Sequence, residues 1–415
     1  MTPHPENGLD SDAEESPARN GAARIRQEHP FLSPVGSPLK FDRSAANLLS
    51  SVERTDIIAS NILYSSSVPD LKRKYPNMRA LLLILTLAGV APGPQAVAIA
   101  AEPRQIAEER FITLGGMPQW VTIRGSDRTK PVLLFLHGGP GDAQSSLTSV
   151  YKPFERDFVL VQWDQRGAGR TLGHSGAERQ QTSLDRLISD GIELAAFIRG
   201  YLHTKRVILV GHSWGSYLAV EIVKRRPDLF SAFVGIGQIV NLREAVETQY
   251  RYTLARARAE PDLEAVAELE KLGIPAQGNL DQYIVLRGQL NRYLAVSDLQ
   301  WLSRQDSLIR AQVSADDFRA YQQGLQTMTG LASTVFAIDT PALGFDFKLP
   351  VFLIQGTEDH ITDSSSAAHY FKDIQAPIKR MTPIEGAGHF APATHTEQVA
   401  EAIRQDMRLV PSSGK

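Results

Sequence analysis

Gly211-His212-Ser213-Trp214-Gly215 sets a serine between two glycines, directly after an apolar run at 207–210 and directly before a helical periodicity at 214–224. A serine hydroxyl is a weak nucleophile until a neighbouring base takes its proton; it can then attack a carbonyl carbon. A sharp turn from strand to helix holds such a serine in a strained backbone conformation, and glycines on either side leave room for the crossing segments. The spacing therefore predicts Ser213 as an exposed nucleophile for acyl transfer at the end of a sheet.

Strand, elbow and helix in this order point to the α/β-hydrolase fold, in which an acid and then a histidine follow the nucleophile on loops after later strands. Gly356-Thr357-Glu358-Asp359-His360 follows an apolar run at 350–355, and Gly386-Ala387-Gly388-His389-Phe390 follows a second run at 378–384. We assign Asp359 as the acid and His389 as the base, with Glu358 and Asp363 the rival carboxylates. His389 would take the Ser213 proton and pass it to the leaving group, while Asp359 fixes the tautomer and stabilises the imidazolium. His137, His212, His360 and His369 read as structural, and His4 and His29 fall in a dispensable N-terminal stretch.

His137-Gly138-Gly139-Pro140-Gly141 follows the run at 131–136, where this fold places its second oxyanion donor. The backbone N–H groups of Trp214 and Gly139, with Gly138 the alternative, are expected to receive the oxyanion, each worth roughly 3 to 4 kcal/mol in the transition state. None of these steps calls for a metal or a cofactor. The run lacks the G-x-G-x-x-G spacing of a dinucleotide site.

The motifs 137–141, Trp163-Asp164-Gln165-Arg166-Gly167-Ala168-Gly169-Arg170-Thr171 and 211–215 together resemble the proline iminopeptidase family of α/β-hydrolases, over roughly 111–236 and 350–409. The resemblance implies release of N-terminal residues from small peptides or amides, with cap carboxylates holding the substrate ammonium. Glu244 and Glu247 are the candidates for that role. Asp164 and Arg166 read as an ion pair bracing their loop. A carboxylic-ester hydrolase with the same triad is the alternative reading, and a catalytically silent binding module a third. A serine rather than a carboxylate at the elbow disfavours dehalogenase and epoxide hydrolase chemistry.

Positioning these residues requires a mostly parallel, doubly wound sheet. Runs at 111–114 and 119–124 read as an opening hairpin around Gly115-Gly116, and buried strands follow at 131–136, 158–163, 207–210 and 232–236. Helical patterns at 183–202 and 214–224 alternate with them. From 240 to 345 the pattern is helical, with charged and aromatic residues interleaved, which predicts an inserted helical cap between two core parts, 102–239 and 346–415. An amphipathic helix at 395–409 closes the domain.

The chain has 415 residues and no cysteine, so disulfides and thiolate chemistry are excluded. Its 44 Lys and Arg against 46 Asp and Glu give a net charge of −2, with no field that would gather nucleic acid, so the expected partner is a small peptide, amide or ester. Residues 1–77 are rich in Ser, Pro, Asn and charge and read as a disordered or non-native extension. A basic cluster at Lys72, Arg73, Lys74 and Arg79, an apolar run at 80–91 and small residues at 96–101 have the order of a signal peptide starting near Met78. Periplasmic or secreted localisation is the expectation, a membrane anchor the alternative. N-terminal sequencing of exported protein is expected to find the first residue between about 98 and 102; a mature chain retaining residues before Met78 would contradict it.

Overall fold

A computed structural model describes residues 104–176, 182–326 and 330–411. The N-terminal extension at 1–77 and the signal-like segment at 78–101 lie outside the described residues. In chain order the elements are β1 (Ile106–Leu114), β2 (Met117–Gly125), β3 (Val132–Leu136), α1 (Thr148–Glu155), β4 (Val159–Trp163), α2 (Gly169–Ser175), α3 (Leu184–Tyr201), β5 (Val207–His212), α4 (Trp214–Arg225) and β6 (Phe230–Ile236). Then come α5 (Leu242–Ala259), α6 (Leu263–Leu272), α7 (Leu280–Leu290), α8 (Val296–Arg310), α9 (Ala315–Gly324) and α10 (Ala332–Phe336). The chain returns through β7 (Val351–Gly356), α11 (Ser364–Asp373), β8 (Lys379–Ile384), α12 (Ala391–Thr394) and α13 (Thr396–Leu409).

The strands form one eight-stranded sheet in the order β1-β2-β4-β3-β5-β6-β7-β8. The β1–β2 and β2–β4 pairs are antiparallel and all others parallel. β3, β5 and β7 are buried at every residue, as parallel strands covered on both faces must be. Their side chains alternate between two cores: Leu134, Leu209 and Leu353 pack on one face, Leu133, Ile208 and Phe352 on the other. Pro383 is tolerated because β8 is an edge strand, paired only with β7.

After β3 the chain moves to one side to form β4, then returns to the other side of β3 to form β5. Such a reversal opens a crevice at the carboxyl ends of the two strands. The 137–141 loop and the 211–215 elbow leave from there, with Leu136 in register with Gly211.

β1 runs five residues further back than the sequence pattern indicates. Glu108, Glu109 and Arg110 belong to it: at the sheet edge Glu109 lies on the solvated face, while Glu108 and Arg110 take half-buried positions on the face of Ile106 and Ile112. The short helices α1, which carries an internal Pro153, and α2 are too brief for a periodic signal.

The expected Asp164–Arg166 ion pair does not form. Arg166 instead donates from Nε to Asp190 Oδ2 at 2.9 Å, and the same oxygen accepts Gln119 Nε2 at 2.8 Å. Asp164 Oδ2 accepts the Arg170 backbone N–H at 2.9 Å. Both carboxylates are buried; Asp164 is met by the Arg170 N–H, and the guanidinium goes to Asp190, which Gln119 also holds. Removing Asp190 leaves that charge unpaired. Asp190→Ala is expected to lower the free energy of unfolding by about 3 to 5 kcal/mol in urea titration, whereas a change below 1 kcal/mol would show the pair to be dispensable.

Candidate functional site

Ser213 sits at the bend between β5 and α4 with φ 54° and ψ −120°, a conformation that non-glycine residues rarely adopt. The strain is held from several sides. Ser213 N–H donates to Ile236 O at 2.9 Å, and Ser213 O accepts both the N–H (2.8 Å) and the hydroxyl (2.6 Å) of Ser216. The flanking glycines are required by space: a Cβ on Gly211 would lie 2.1 Å from Gly215 O, and one on Gly215 would lie 2.3 Å from Leu136 O.

Asp359 and His389 form a buried pair, with His389 Nδ1 3.0 Å from Asp359 Oδ2. The carboxylate can only accept, so Nδ1 carries the proton and Nε2 is left with its lone pair. Oδ2 also accepts Gln355 Nε2 (2.9 Å) and the Thr362 hydroxyl (2.6 Å), while Oδ1 accepts the N–H groups of Ile361 and Thr362, both at 2.9 Å. Burial alone would push this carboxyl up; His389 and the Thr362 donors outweigh it and hold Asp359 well below the usual carboxylate range. Of the rival acids, Asp363 (φ 42°) caps α11 through the Ser366 N–H, and Glu358 is exposed.

These loops meet at one rim of the sheet. His212, next to Ser213, has its ring centroid 5.0 Å from that of His389, and its Nε2 lies 2.9 Å from His389 O. Gly237 separates the strand end that holds Ser213 from the pair: a Cβ there would lie 3.2 Å from His389 Nδ1 and 3.3 Å from Asp359 Oδ2. On the other side Gly138 backs onto Ser213, with room for a Cβ only 3.3 Å from the serine Cβ. Trp214 is the first residue of α4, so its N–H is among those a helix leaves free. Gly139, with φ 106°, turns the loop above it.

His137 braces that loop. Its Nδ1 lies 2.8 Å from Gly138 O, and its Nε2 accepts the Gln165 N–H at 3.2 Å. Gln165 also donates to His137 O and accepts Trp214 Nε1, each at 3.2 Å, so the 163–171 motif ties the glycine loop to the elbow. Burial lowers His137 to about 4 and, with the nearby charge of His389, His212 to about 3; both rings stay neutral in ordinary buffers. His360 stacks on Tyr252, centroids 3.7 Å apart.

Neither cap glutamate lies on the face of α5 that packs inward, which carries Leu242, Ala245, Val246, Gln249 and Thr253. Glu244 is exposed and Glu247 is paired with Arg251. Two other carboxylates, unmarked in the sequence, lie here, Asp298 buried and Asp142 partly buried. Asp142, one residue past the glycine loop, accepts Gln305 Nε2 (3.2 Å) and the Tyr321 hydroxyl (3.3 Å) from α8 and α9; burial raises its pKa. Asp298, on α8, accepts the backbone N–H groups of His389 and Phe390. The first could have been suspected from its place after the glycine run, but the second lies in a polar helix with no local signal.

Residues 127–393 match the family described as serine aminopeptidase, S33, and the chain belongs to that family of α/β-hydrolases. It is 28% identical over 303 residues to the probable aminopeptidase YbaC of Bacillus subtilis (strain 168), a match spanning 69% of this chain and 92% of that protein. Esterase EstD of Thermotoga maritima is 25% identical over 177 residues, 40% of this chain and 41% of the other. The proline iminopeptidase structure from Mycobacterium smegmatis shares the fold at 18% identity, with a TM-score of 0.51 over 72% of this chain and 98% of that one. The protein is therefore a hydrolase of aminopeptidase or esterase kind.

Burial raises three carboxyls from 3.8, Asp298 and Asp164 to about 6 and Asp406 to about 7. A carboxyl whose pKa is higher folded than unfolded stabilises the fold while protonated, and that contribution is lost as pH rises through the folded value. Asp359, shifted the other way, acts only at more acid pH. His137 and His212, kept neutral by burial, act in the opposite direction as pH rises toward about 6.5, so the test is a difference: Asp406→Asn is expected to raise the Tm at pH 7.5 relative to that at pH 5, compared with wild type, and an unchanged difference would contradict the assignment.

Proposed function

We propose that the protein hydrolyses the N-terminal amide bond of small peptides or aminoacyl amides through an acyl-enzyme on Ser213. The observation that carries this reading is the buried Asp359–His389 pair, its carboxylate fully hydrogen-bonded, at the same rim as a strained serine. His389 Nε2 removes the hydroxyl proton as Ser213 Oγ attacks the carbonyl. The oxyanion is received by the N–H groups of Trp214 and Gly139, and the imidazolium then protonates the departing amine. Water, activated by the same imidazole, releases the acyl group.

The family and the probable aminopeptidase relative support an amino-terminal substrate. Such a substrate brings an ammonium, which needs a carboxylate at the site. We assign that role to Asp142 rather than to Glu244 or Glu247: it lies beside the glycine loop within electrostatic reach of His389, while those two are solvated or already paired. An ester hydrolase with the same triad is the second reading, favoured by the esterase relative. The signal-like segment further supports export to the periplasm or medium.

Parallel assays on aminoacyl arylamides and short acyl esters separate the two readings. Ser213→Ala is expected to lower kcat by at least about 10⁴-fold on any substrate turned over. Asp142→Asn is expected to raise KM for aminoacyl arylamides while leaving simple esters nearly unchanged. Turnover of esters with none of arylamides would sink the peptidase reading, and undiminished turnover by Ser213→Ala would sink both.

A further inference from the structure

Asp298 is the third residue of α8 and has no solvent exposure. An acidic side chain at that position ordinarily folds back to cap its own helix. Here both oxygens are spent on a segment 91 residues further along: Oδ2 accepts the His389 N–H at 2.7 Å and Oδ1 the Phe390 N–H at 3.2 Å. Gly388 makes the approach possible, since a Cβ there would stand 2.1 Å from Asp298 Oδ2 and 2.5 Å from its Cγ. The glycine before the histidine thus accommodates a carboxylate from a distant helix.

His389 is consequently held at three points. Its ring is fixed by Asp359 at 3.0 Å, its carbonyl lies 2.9 Å from His212 Nε2, and its N–H is taken by Asp298. The first partner stands on the loop after β7 and the second ends β5; the third comes from the helices inserted between β6 and β7. Holding the ring alone leaves the backbone free to pivot about the Nδ1 contact, which would swing Nε2 relative to the serine. A second hold on the backbone removes that freedom, and a buried anion beside it also favours the imidazolium that forms during attack.

We propose that Asp298 is a positioning residue for His389, so that the inserted helices complete the hydrolytic site as well as cover it. The inference rests on the reading of Ser213 and His389 as the reacting pair. An asparagine at 298 would accept one of the two N–H groups and turn an amide N–H toward the other. An alanine at 388 would push the carboxylate away. Both changes break the same contact from opposite sides, so their effects should not add.

The test is the rate at which a fluorophosphonate labels Ser213 in the full chain, for wild type, Asp298→Asn, Gly388→Ala and the double variant, each checked for folding by circular dichroism. KM and kcat are measured on whichever substrate the wild type turns over. Each single variant is expected to label and turn over about 100-fold more slowly with KM little changed, and the double variant no slower than the worse single. Failure of the wild type to label would overturn the hydrolase reading, and this inference with it. Labelling of wild type with folded Asp298→Asn reacting at the same rate would overturn this inference alone. Should Asp298→Asn not fold, a folded Gly388→Ala at the wild-type rate has the same force.

Discussion

A carboxylate with almost no access to water stays ionised only if the protein supplies what solvent would have supplied, and Asp359 depends on that condition. Five donors meet its two oxygens: two backbone N–H groups of its own loop, the Thr362 hydroxyl, the Gln355 amide and the His389 ring. Four come from residues within four positions of it, so the end of β7 and the loop after it surround the charge and His389 completes the set. The fifth decides the protonation of the imidazole, because an acceptor-only partner at Nδ1 leaves the basic lone pair on Nε2. Without this arrangement the elbow would present an ordinary serine.

The sheet brings that pair to the serine by topology. Reversal of strand order at β3 opens the crevice, and the elbow and glycine loop leave from adjacent strand ends. Gln165 joins them from a third strand end, touching both His137 and the Trp214 ring. The helices between β6 and β7 reach the same rim through Asp298 and through Gln305 and Tyr321 on Asp142. Two carboxylates near the histidine, Asp298 and Asp142, are therefore shared between sheet loops and inserted helices.

The parts of this arrangement legible in the sequence are those with a local signature. The strand–glycine–serine–glycine–helix order, the buried runs and the loops bearing Asp359 and His389 are contiguous patterns, and the strands lie within a few residues of where hydrophobic periodicity puts them. Contacts that depend on tertiary distance were not legible. Arg166 passes over Asp164, two residues away, for Asp190, 24 residues on, a partner that only the folded chain brings within reach. Asp298 looks like any acidic residue in the first turn of a helix, and only the folded chain brings Gly388 against it. Glu244 and Glu247 offer charge at the start of the inserted helices, yet that helix turns other residues inward.

The most direct measurement is a crystal structure of the protein after reaction with a fluorophosphonate. The account predicts phosphorus bonded to Ser213 Oγ, one phosphonyl oxygen within hydrogen-bonding distance of the Trp214 and Gly139 N–H groups, and the His389 imidazole facing the adduct with its Nδ1 still on Asp359. An adduct on a different residue, or one on Ser213 whose oxygen points away from both N–H groups, would contradict it.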